Sequence, residues 1–251
     1  MPAVSSATQS RDPAGPHPRI AAVILAAGQS RRMGRPKSLL PLGGKPVLAH
    51  VIDTVLAAEL ISPVIVVTGH EPVRLEPVLA DYPAIERVQN EQHERGGMLS
   101  SVQAGLAAVD GRADAVFLVL GDQPLVRPAT LRTMISAYRA RRPRVIVPAY
   151  AEKRGHPILL CARGVNQILA LPAGATLQSY TSSQIEHRLE LSVDDAGVVC
   201  DLDTPADYAA VVAQFHATPA DPGEEPAIDY DDQRSEACPN QRTARPLPSA
   251  G

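Results

Sequence analysis

The chain has 251 residues, enough for one large domain or two small ones with a buried core. Its formal net charge is −3 and 45% of its residues are hydrophobic, so the composition indicates neither a nucleic-acid partner nor a membrane-surface partner. The three cysteines form no CxxC pair and no run of 18 apolar residues occurs, which argues against a disulfide framework, a structural zinc site and a membrane span. We expect a cytoplasmic protein without a signal peptide.

Strands and helices alternate through the middle of the chain. The predicted strands are short apolar runs, as expected of strands buried on both faces of a sheet; they are Ile20–Ala26, Pro63–Thr68, Glu86–Gln89, Ala115–Leu120, Val145–Val147 and a last strand near Val198–Leu202. The predicted helices have apolar residues at helical spacing and several begin at a proline; they are Pro46–Glu59, Pro72–Ala80, Leu99–Val109, Pro128–Arg141, Arg163–Leu171, Thr176–Ser183 and Pro205–Phe215.

This alternation predicts an α/β protein with a three-layer, doubly wound, mostly parallel sheet. The segment Pro148–Cys161 breaks the alternation and predicts a small β-hairpin inserted near one edge. Residues 1–18 are rich in Pro, Ser and Ala, which predicts a disordered leader, and residues 217–251 carry six prolines and an acidic run, which predicts a mobile tail. The folded domain is therefore expected at residues 19–216.

A glycine-rich basic segment follows the first predicted strand, where open α/β sheets bind ligands. It runs Leu25-Ala26-Ala27-Gly28-Gln29-Ser30-Arg31-Arg32-Met33-Gly34-Arg35-Pro36-Lys37. Glycine lets backbone N–H groups approach a phosphate, and arginine and lysine offset the charge of a triphosphate. The spacing matches neither GxGxxG nor GxxxxGK[ST], which disfavours a dinucleotide site and a P-loop. The alternative is a solvated basic turn, although one of only three lysines in the chain lies here.

Two acidic segments are candidates for binding a metal. Gly121-Asp122-Gln123-Pro124 follows a predicted strand, and a carboxylate at a strand's carboxyl end suits Mg²⁺, which prefers oxygen ligands and is often shared with substrate phosphates. The second segment is Asp201-Leu202-Asp203-Thr204-Pro205. The alternatives are a turn capped by Asp122 and a helix capped by Asp203 or Thr204. Asp207 is expected to be exposed in the first turn of that helix.

Two other segments are candidates for binding the substrates. Gly96-Gly97-Met98-Leu99-Ser100-Ser101 precedes a predicted helix, and small residues there leave backbone N–H groups free for a ligand. A plain N-cap at Ser100 is the alternative. Arg154-Gly155-His156-Pro157 lies in the inserted segment, where a lone histidine is more often structural than catalytic.

The segment from Leu25 to Lys37 resembles the signature loop of the MobA-like nucleotidyltransferases. The Gly-His-Pro and Asp-Leu-Asp-Thr-Pro motifs resemble the molybdenum cofactor cytidylyltransferase branch of that family, and the resemblance covers residues 21–215. It implies a nucleotide site formed by Leu25, Ala26, Ala27, Gly28, Arg32, Lys37, Gly96, Ser101 and Gly121. It further implies catalytic roles for Arg32, Lys37 and Asp122, a Mg²⁺ site at Asp122 and Asp203 (with Asp201 as the alternative to Asp203), and acceptor contacts from Gly155 and His156.

The implied reaction moves the CMP group of CTP onto the phosphate of molybdenum-molybdopterin and releases pyrophosphate. A phosphate monoester is already anionic at pH 7, so no strong general base is needed. Ala27 stands where the guanylyltransferase branch has glycine, which narrows the space over the base and favours CTP. A molybdoenzyme of the xanthine oxidase type is the expected transient partner. The alternatives are a GTP-dependent or sugar-phosphate nucleotidyltransferase of the same fold, and a non-catalytic cofactor carrier.

Overall fold

The computed structural model describes residues 17–30 and 33–217. Arg32, most of the expected leader 1–18 and nearly all of the expected tail 217–251 lie outside these residues, so their predictions stay untested. The strands are β1 Ile20–Leu25, β2 Pro41–Leu42, β3 Lys45–Pro46, β4 Ile61–Thr68, β5 Glu86–Gln89, β6 Ala115–Leu120, β7 Val145–Tyr150, β8 Lys153–Arg154, β9 Ile158–Cys161 and β10 Arg188–Ser192. The helices are α1 Val47–Ala57, α2 Glu76–Ala80, α3 Gly97–Val109, α4 Pro128–Arg141, α5 Ala162–Leu169, α6 Leu177–Ser183 and α7 Pro205–Ala217.

The main sheet has eight strands and is mostly parallel, as predicted. Its order is β10-β7-β9-β6-β1-β4-β5, and β8 pairs with β7. The central strand β1 runs parallel to β4 and β6, while β9 runs antiparallel to both β6 and β7. The strands β2 and β3 form a separate antiparallel pair.

Alternating side chains of β1 explain the three layers. Successive residues of a strand point to opposite faces. Ala22 and Ile24 belong to a core shared with α1 and α4, whereas Ala21 and Val23 belong to a second core shared with α3, α5 and α6. Because both faces are covered by helices, β1 reads as an unbroken apolar run.

A third, smaller core joins the β2–β3 pair to the end of the described chain. Leu40, Leu42 and Leu202 are buried there with Val211, and Phe215 packs against them. Leu202 is fully buried, so this core fixes the short segment that carries Asp201 and Asp203. Among the residues described, no helix is long and apolar enough to cross a bilayer.

The structure corrects three predictions about the elements. The inserted segment forms a small β7–β8 hairpin as expected, but β9 lies inside the sheet between β6 and β7. The predicted strand near Val198–Leu202 is wrong, since Ala196–Val199 is a 3₁₀ turn and the edge strand is instead β10. The predicted helix Pro72–Ala80 is divided into a 3₁₀ turn, Pro72–Arg74, and the short helix α2.

Candidate active site

A cavity of about 1320 Å³ opens where β1 and β6 end, beside α3, α6 and the β7–β8 hairpin. This volume exceeds that of an ordinary single-ligand pocket, which is about 300–1,000 Å³. Of the residues predicted from the sequence, the cavity brings together Leu25, Ala26, Ala27, Gly28, Lys37, Ser101, Gly121, Asp122, Gly155, His156, Asp201 and Asp203. Gly96 is not among the lining residues, although the adjacent Gly97 is.

Lys37 lies at the centre of the acidic group. It begins a 3₁₀ turn, and its backbone N–H donates to Oγ of Ser30 at 2.9 Å, which ties the glycine-rich segment together. Its ammonium group lies 3.3 Å from Oδ2 of Asp122 and forms an ion pair with Oδ1 of Asp203. Residues separated by more than 160 positions in sequence therefore meet at one cation.

The charge balance at Asp122 is set by burial and by its neighbours. Burial raises the pKa of the Asp122 carboxyl above its usual value; the Lys37 ammonium lowers it, and Asp201 and Asp203 raise it further. Two additional carboxylates near Asp122 therefore oppose its ionisation. A cation held beside Asp122 is favoured for the same reason.

Asp201 and Asp203 are held differently. Oδ1 of Asp201 accepts a hydrogen bond from Nε2 of Gln123 at 2.9 Å, whereas Asp203 reaches Lys37. Gln123 is 3% exposed, and its Oε1 atom has no hydrogen-bond partner among the described residues. Sequence reasoning missed Gln123, although it directly follows the candidate metal ligand Asp122.

The start of α7 is capped by a reciprocal pair. Oδ2 of Asp207 accepts from the backbone N–H groups of Asp203 and Thr204, at 3.2 and 2.7 Å, and the backbone N–H of Asp207 donates to Oγ1 of Thr204 at 3.2 Å. This is a capping box. The prediction that Asp207 is simply exposed is therefore wrong, since it is half-buried and fixes the chain next to Asp203.

The segment before α3 is also organised by a residue that the sequence analysis did not select. Asn90, which is 4% exposed, donates from Nδ2 to Oγ of Ser100 at 2.8 Å and to Oγ of Ser101 at 2.9 Å. The helix begins at Gly97 with Gly96 in the N-cap position, so the alternative of an N-cap at Ser100 is wrong. Ser101 is thereby held at the cavity wall.

Two glycines of the site are required by close backbone contacts. A Cβ on Gly121 would lie 2.8 Å from the carbonyl oxygen of Leu25, and one on Gly155 would lie 1.9 Å from the carbonyl oxygen of Val198. Real Cβ atoms do not approach backbone atoms so closely. Gly121 therefore allows β6 to end against β1.

His156 is held by its backbone and buried at its ring. Its backbone N–H donates to the carbonyl oxygen of Val198 at 2.9 Å, and its Nε2 atom is buried without a hydrogen-bond partner among the described residues. Burial lowers the pKa of the imidazole, and Asp201 raises it by a smaller amount. The ring is therefore neutral at pH 7 and lines the cavity as a polar surface.

This combination of a parallel α/β sheet, a glycine-rich turn and carboxylates at a strand end defines a nucleotidyltransferase of the Rossmann-like type. Residues 22–191 match the MobA-like NTP transferase domain, which is more than half of the chain. The chain therefore belongs to the MobA-like NTP transferase family.

Solved structures agree with this assignment. Rv0371c from Mycobacterium tuberculosis H37Rv is 30% identical with a TM-score of 0.68, and the match covers 78% of this chain and 98% of that one. The same protein has been crystallised in complex with manganese, at 31% identity and a TM-score of 0.65. A nucleotidyl transferase from Methanothermobacter thermautotroptrophicus, Mth528, is 26% identical with a TM-score of 0.69, over 80% of this chain and 99% of that one.

Among curated proteins, the bifunctional protein GlmU of Leifsonia xyli subsp. xyli is 44% identical over 126 residues. That match covers 48% of this chain and 25% of the GlmU chain. The similarity thus spans about a quarter of a longer protein, and it does not decide between the branches of the family.

Proposed function

We propose that this protein transfers the CMP group of CTP to the phosphate of molybdenum-molybdopterin, releasing pyrophosphate and forming the cytosine dinucleotide form of the cofactor. The observation that carries the proposal is the group of Lys37, Asp122 and Asp203, which meets beside the glycine-rich segment in a large cavity. Such a group combines a cation for phosphate with oxygen ligands for a metal.

The carboxylates fit a divalent metal, proposed here to be Mg²⁺. Both Asp122 and Asp203 contact the ammonium of Lys37, so their oxygens converge on a point that favours a cation. Among the described residues, no group of three or more His, Cys, Asp or Glu side chains is arranged to hold a metal. This suits Mg²⁺, which commonly takes one or two protein carboxylates and completes its shell with waters and substrate phosphates. The manganese complex of Rv0371c supports a divalent ion.

The proposed step balances without a strong general base. An oxygen of the acceptor phosphate bonds to the α-phosphorus of CTP, and the bond from that phosphorus to the bridging oxygen of the β-phosphate breaks, so pyrophosphate leaves with the electron pair. A bound divalent metal would neutralise charge that develops on the phosphate oxygens. Lys37 and, by resemblance, Arg32 stabilise the same charge, while Asp122 and Asp203 would hold the metal. His156, which is neutral and half-buried with its Nε2 atom shielded from solvent, orients the acceptor.

The choice of CTP rests on Ala27 and on the resemblance of two motifs. Ala27 is 6% exposed and is one of the residues that line the cavity. Its methyl group packs toward Gly69, where an added Cβ would lie 2.8 Å away. By resemblance, a methyl group at this position narrows the space over the base, which supports a pyrimidine over a purine.

A sugar phosphate is the second candidate acceptor. The 44% identity to the GlmU protein over 126 residues, 48% of this chain, supports this alternative. A non-catalytic carrier is disfavoured, because carrying a cofactor does not require two carboxylates and a lysine at one point.

One assay separates these functions. Purified protein is incubated with Mg²⁺, with each of CTP, GTP and UTP, and with either molybdenum-molybdopterin or glucose 1-phosphate, and pyrophosphate release is measured. We expect turnover with CTP and molybdenum-molybdopterin. A wide preference for GTP would refute the interpretation of Ala27. Turnover with glucose 1-phosphate but not with molybdenum-molybdopterin would show that the acceptor is a sugar phosphate.

A further inference from the structure

Three cations line the side of the cavity formed by the β7–β8 hairpin, α6 and β10. They are Lys153, Arg154 and Arg188. The sequence analysis includes Arg154 in a candidate substrate-binding segment but gives it no contact of its own, and the proposed reaction uses none of the three. Lys153 and Arg154 are exposed, whereas the side chain of Arg188 is only 8% exposed.

The side chain of Arg188 is buried, and not all of its N–H donors have partners within the described part of the chain. It donates from Nη1 to the carbonyl oxygen of Thr181 at 3.0 Å and from Nη2 to Oε1 of Glu190 at 2.6 Å. Its Nε atom is buried and has no partner among the described residues. A guanidinium has five N–H donors, and burying one without satisfying its donors is unfavourable.

The only carboxylate that Arg188 contacts in the described structure is shared with a second arginine. Nη1 of Arg154 lies 3.7 Å from the same Oε1 atom of Glu190. Two guanidiniums on one carboxylate leave one positive charge, and Lys153 adds another. The exposed Glu152 of the adjoining turn offsets one of these, so the wall remains net positive.

The positive wall and Lys37 belong to different parts of the sheet. The strands β10 and β1 are four positions apart, which separates their axes by roughly 19 Å. Lys37 lies in a 3₁₀ turn that follows β1, whereas Arg154 lies on β8, which pairs with β7. The arginines therefore flank the cavity on the β7 and β10 side, where they can meet a part of the acceptor other than the phosphate beside Lys37.

We propose that Arg154, Arg188 and Glu190, named here the arginine cluster, form a second anion subsite for a negatively charged group of the acceptor other than its attacking phosphate. The proposal rests on the proposed nucleotidyl transfer and narrows its acceptor class. The acceptor carries at least two anionic centres, whereas a sugar phosphate with a neutral ring offers nothing to the cluster. The alternative is a purely structural cluster that fastens β10 to the hairpin.

The test uses the full chain with Arg154→Gln, Arg188→Lys and, as a matched control, Arg163→Gln at an exposed position on α5 outside the cavity. Two quantities are measured: steady-state KM and kcat with CTP and molybdenum-molybdopterin, and direct binding of molybdenum-molybdopterin without CTP by calorimetry. Arg154→Gln replaces an exposed side chain, so this variant should fold normally. It therefore tests the subsite even if Arg188→Lys, at a buried position, fails to fold.

We expect Arg154→Gln to raise KM and Kd for molybdenum-molybdopterin at least tenfold, while KM for CTP and kcat stay within twofold of wild type. The Arg163→Gln control should match wild type. If the wild type turns over this acceptor and Arg154→Gln binds it equally well, the subsite is wrong and the nucleotidyl transfer stands. If binding is lost in Arg154→Gln but the wild type shows no turnover, the subsite stands and the proposed reaction is wrong.

Discussion

The ammonium of Lys37 is shared by two carboxylates, one from the middle of the domain and one from near its C-terminal end. Asp122 follows β6, and Asp203 precedes α7. Their order in the chain gives no hint of contact; the contact follows because β6 ends next to β1 and the third core anchors Leu202. In the proposed reaction, Lys37 would move to the phosphates of the triphosphate and leave the carboxylates to a metal.

Replacing Asp203 should therefore lower kcat more than replacing Asp201. Asp203→Asn removes a charged oxygen at the shared cation, and loss of such an electrostatic group lowers kcat on the order of 100-fold or more. Asp201→Asn keeps a hydrogen-bond acceptor for Gln123, so we expect a change below about tenfold. The measurement is pyrophosphate release at saturating CTP and Mg²⁺. The reverse order of the two losses would move the metal ligand to Asp201.

His156 predicts a pH dependence of stability. Burial lowers its pKa in the folded protein, so protonation favours the unfolded chain, and stability is lost as pH falls from the usual histidine range through the lowered pKa. One proton contributes at most ~1.4 kcal/mol per pH unit. His156→Gln should lose less unfolding free energy than wild type between pH 7.5 and pH 5, as measured by urea denaturation.

The exposed His70 provides the control for that comparison. His70→Gln replaces a histidine whose side chain is 41% exposed, so it controls for the removal of an imidazole as such over the same interval. Some loss should persist in every variant, because burial also lowers the pKa of His50. Equal losses for His156→Gln and wild type would contradict the account of a buried neutral imidazole.

The residues that the sequence identified are those whose chemistry is visible in a local motif. Asp122 stands beside a glycine at a strand end, and Lys37 ends the glycine-rich segment that follows β1; such positions predict ligand contacts. Gln123 and Asn90 were missed because their roles depend on partners 78 and 11 positions away, which a motif does not show. Arg188 was missed because it lies in a strand that the hydrophobic pattern did not reveal.

At the scale of elements, the β7–β8 hairpin has an unusual turn. Ala151 and Glu152, which connect the two strands, have φ angles of +47° and +64°. Two consecutive residues in the left-handed region define the type of turn that favours Asn-Gly, since only glycine adopts this conformation freely. Backbone strain of this kind is concentrated at functional sites. Here it places Lys153 and Arg154 at the cavity wall.

Relieving that strain should stabilise the protein. Glu152→Gly removes a cost of about 1 kcal/mol for a non-glycine residue in the left-handed region. For a domain of this size that corresponds to a rise in Tm of about 2–4 °C. Glu91→Gly, at an exposed turn position whose φ is not positive, should show no rise. A Tm for Glu152→Gly equal to or below that of wild type in differential scanning calorimetry would contradict a strained turn.

Element prediction succeeded where one pattern was unambiguous and failed where two patterns competed. The strands β5 and β6 and the helix α4 begin and end where the sequence predicted. Strand β10, Arg-Leu-Glu-Leu-Ser, lies at the sheet edge and alternates polar and apolar residues. The search for continuous apolar runs did not predict it. The apolar run near Val198 instead packs in a 3₁₀ turn, where Gly197 contacts the backbone of Leu125.

At the scale of the whole molecule, the position of the site depends on how closely α3 packs on the sheet. A Cβ added to Gly105 would lie 2.2 Å from Cγ1 of Val23 in β1 and 2.7 Å from Cγ2 of Val67 in β4. This close approach sets the height of α3 above the sheet and thereby the position of Ser101 at the cavity. The three-layer arrangement was predictable from alternation along the chain, but the helix-to-sheet distance was not.

Gly105→Ala should destabilise the fold despite the better helix propensity of alanine. Overpacking a core costs about 1–3 kcal/mol, and the propensity gain offsets at most about 1 kcal/mol. Val23→Ala creates space at the same contact, so the double variant should be less destabilised than the sum of the two single variants. Urea unfolding gives all three values. Strict additivity would show that Gly105 and Val23 do not meet as described.

The central claim is that Lys37, Asp122 and Asp203 form one catalytic group for nucleotidyl transfer. The most direct test compares pyrophosphate release from CTP, with Mg²⁺ and molybdenum-molybdopterin, by the wild type and by Asp122→Asn, after circular dichroism has shown both to be folded. We predict turnover by the wild type and a loss on the order of 100-fold in the variant. Equal rates for the two proteins would contradict the claim.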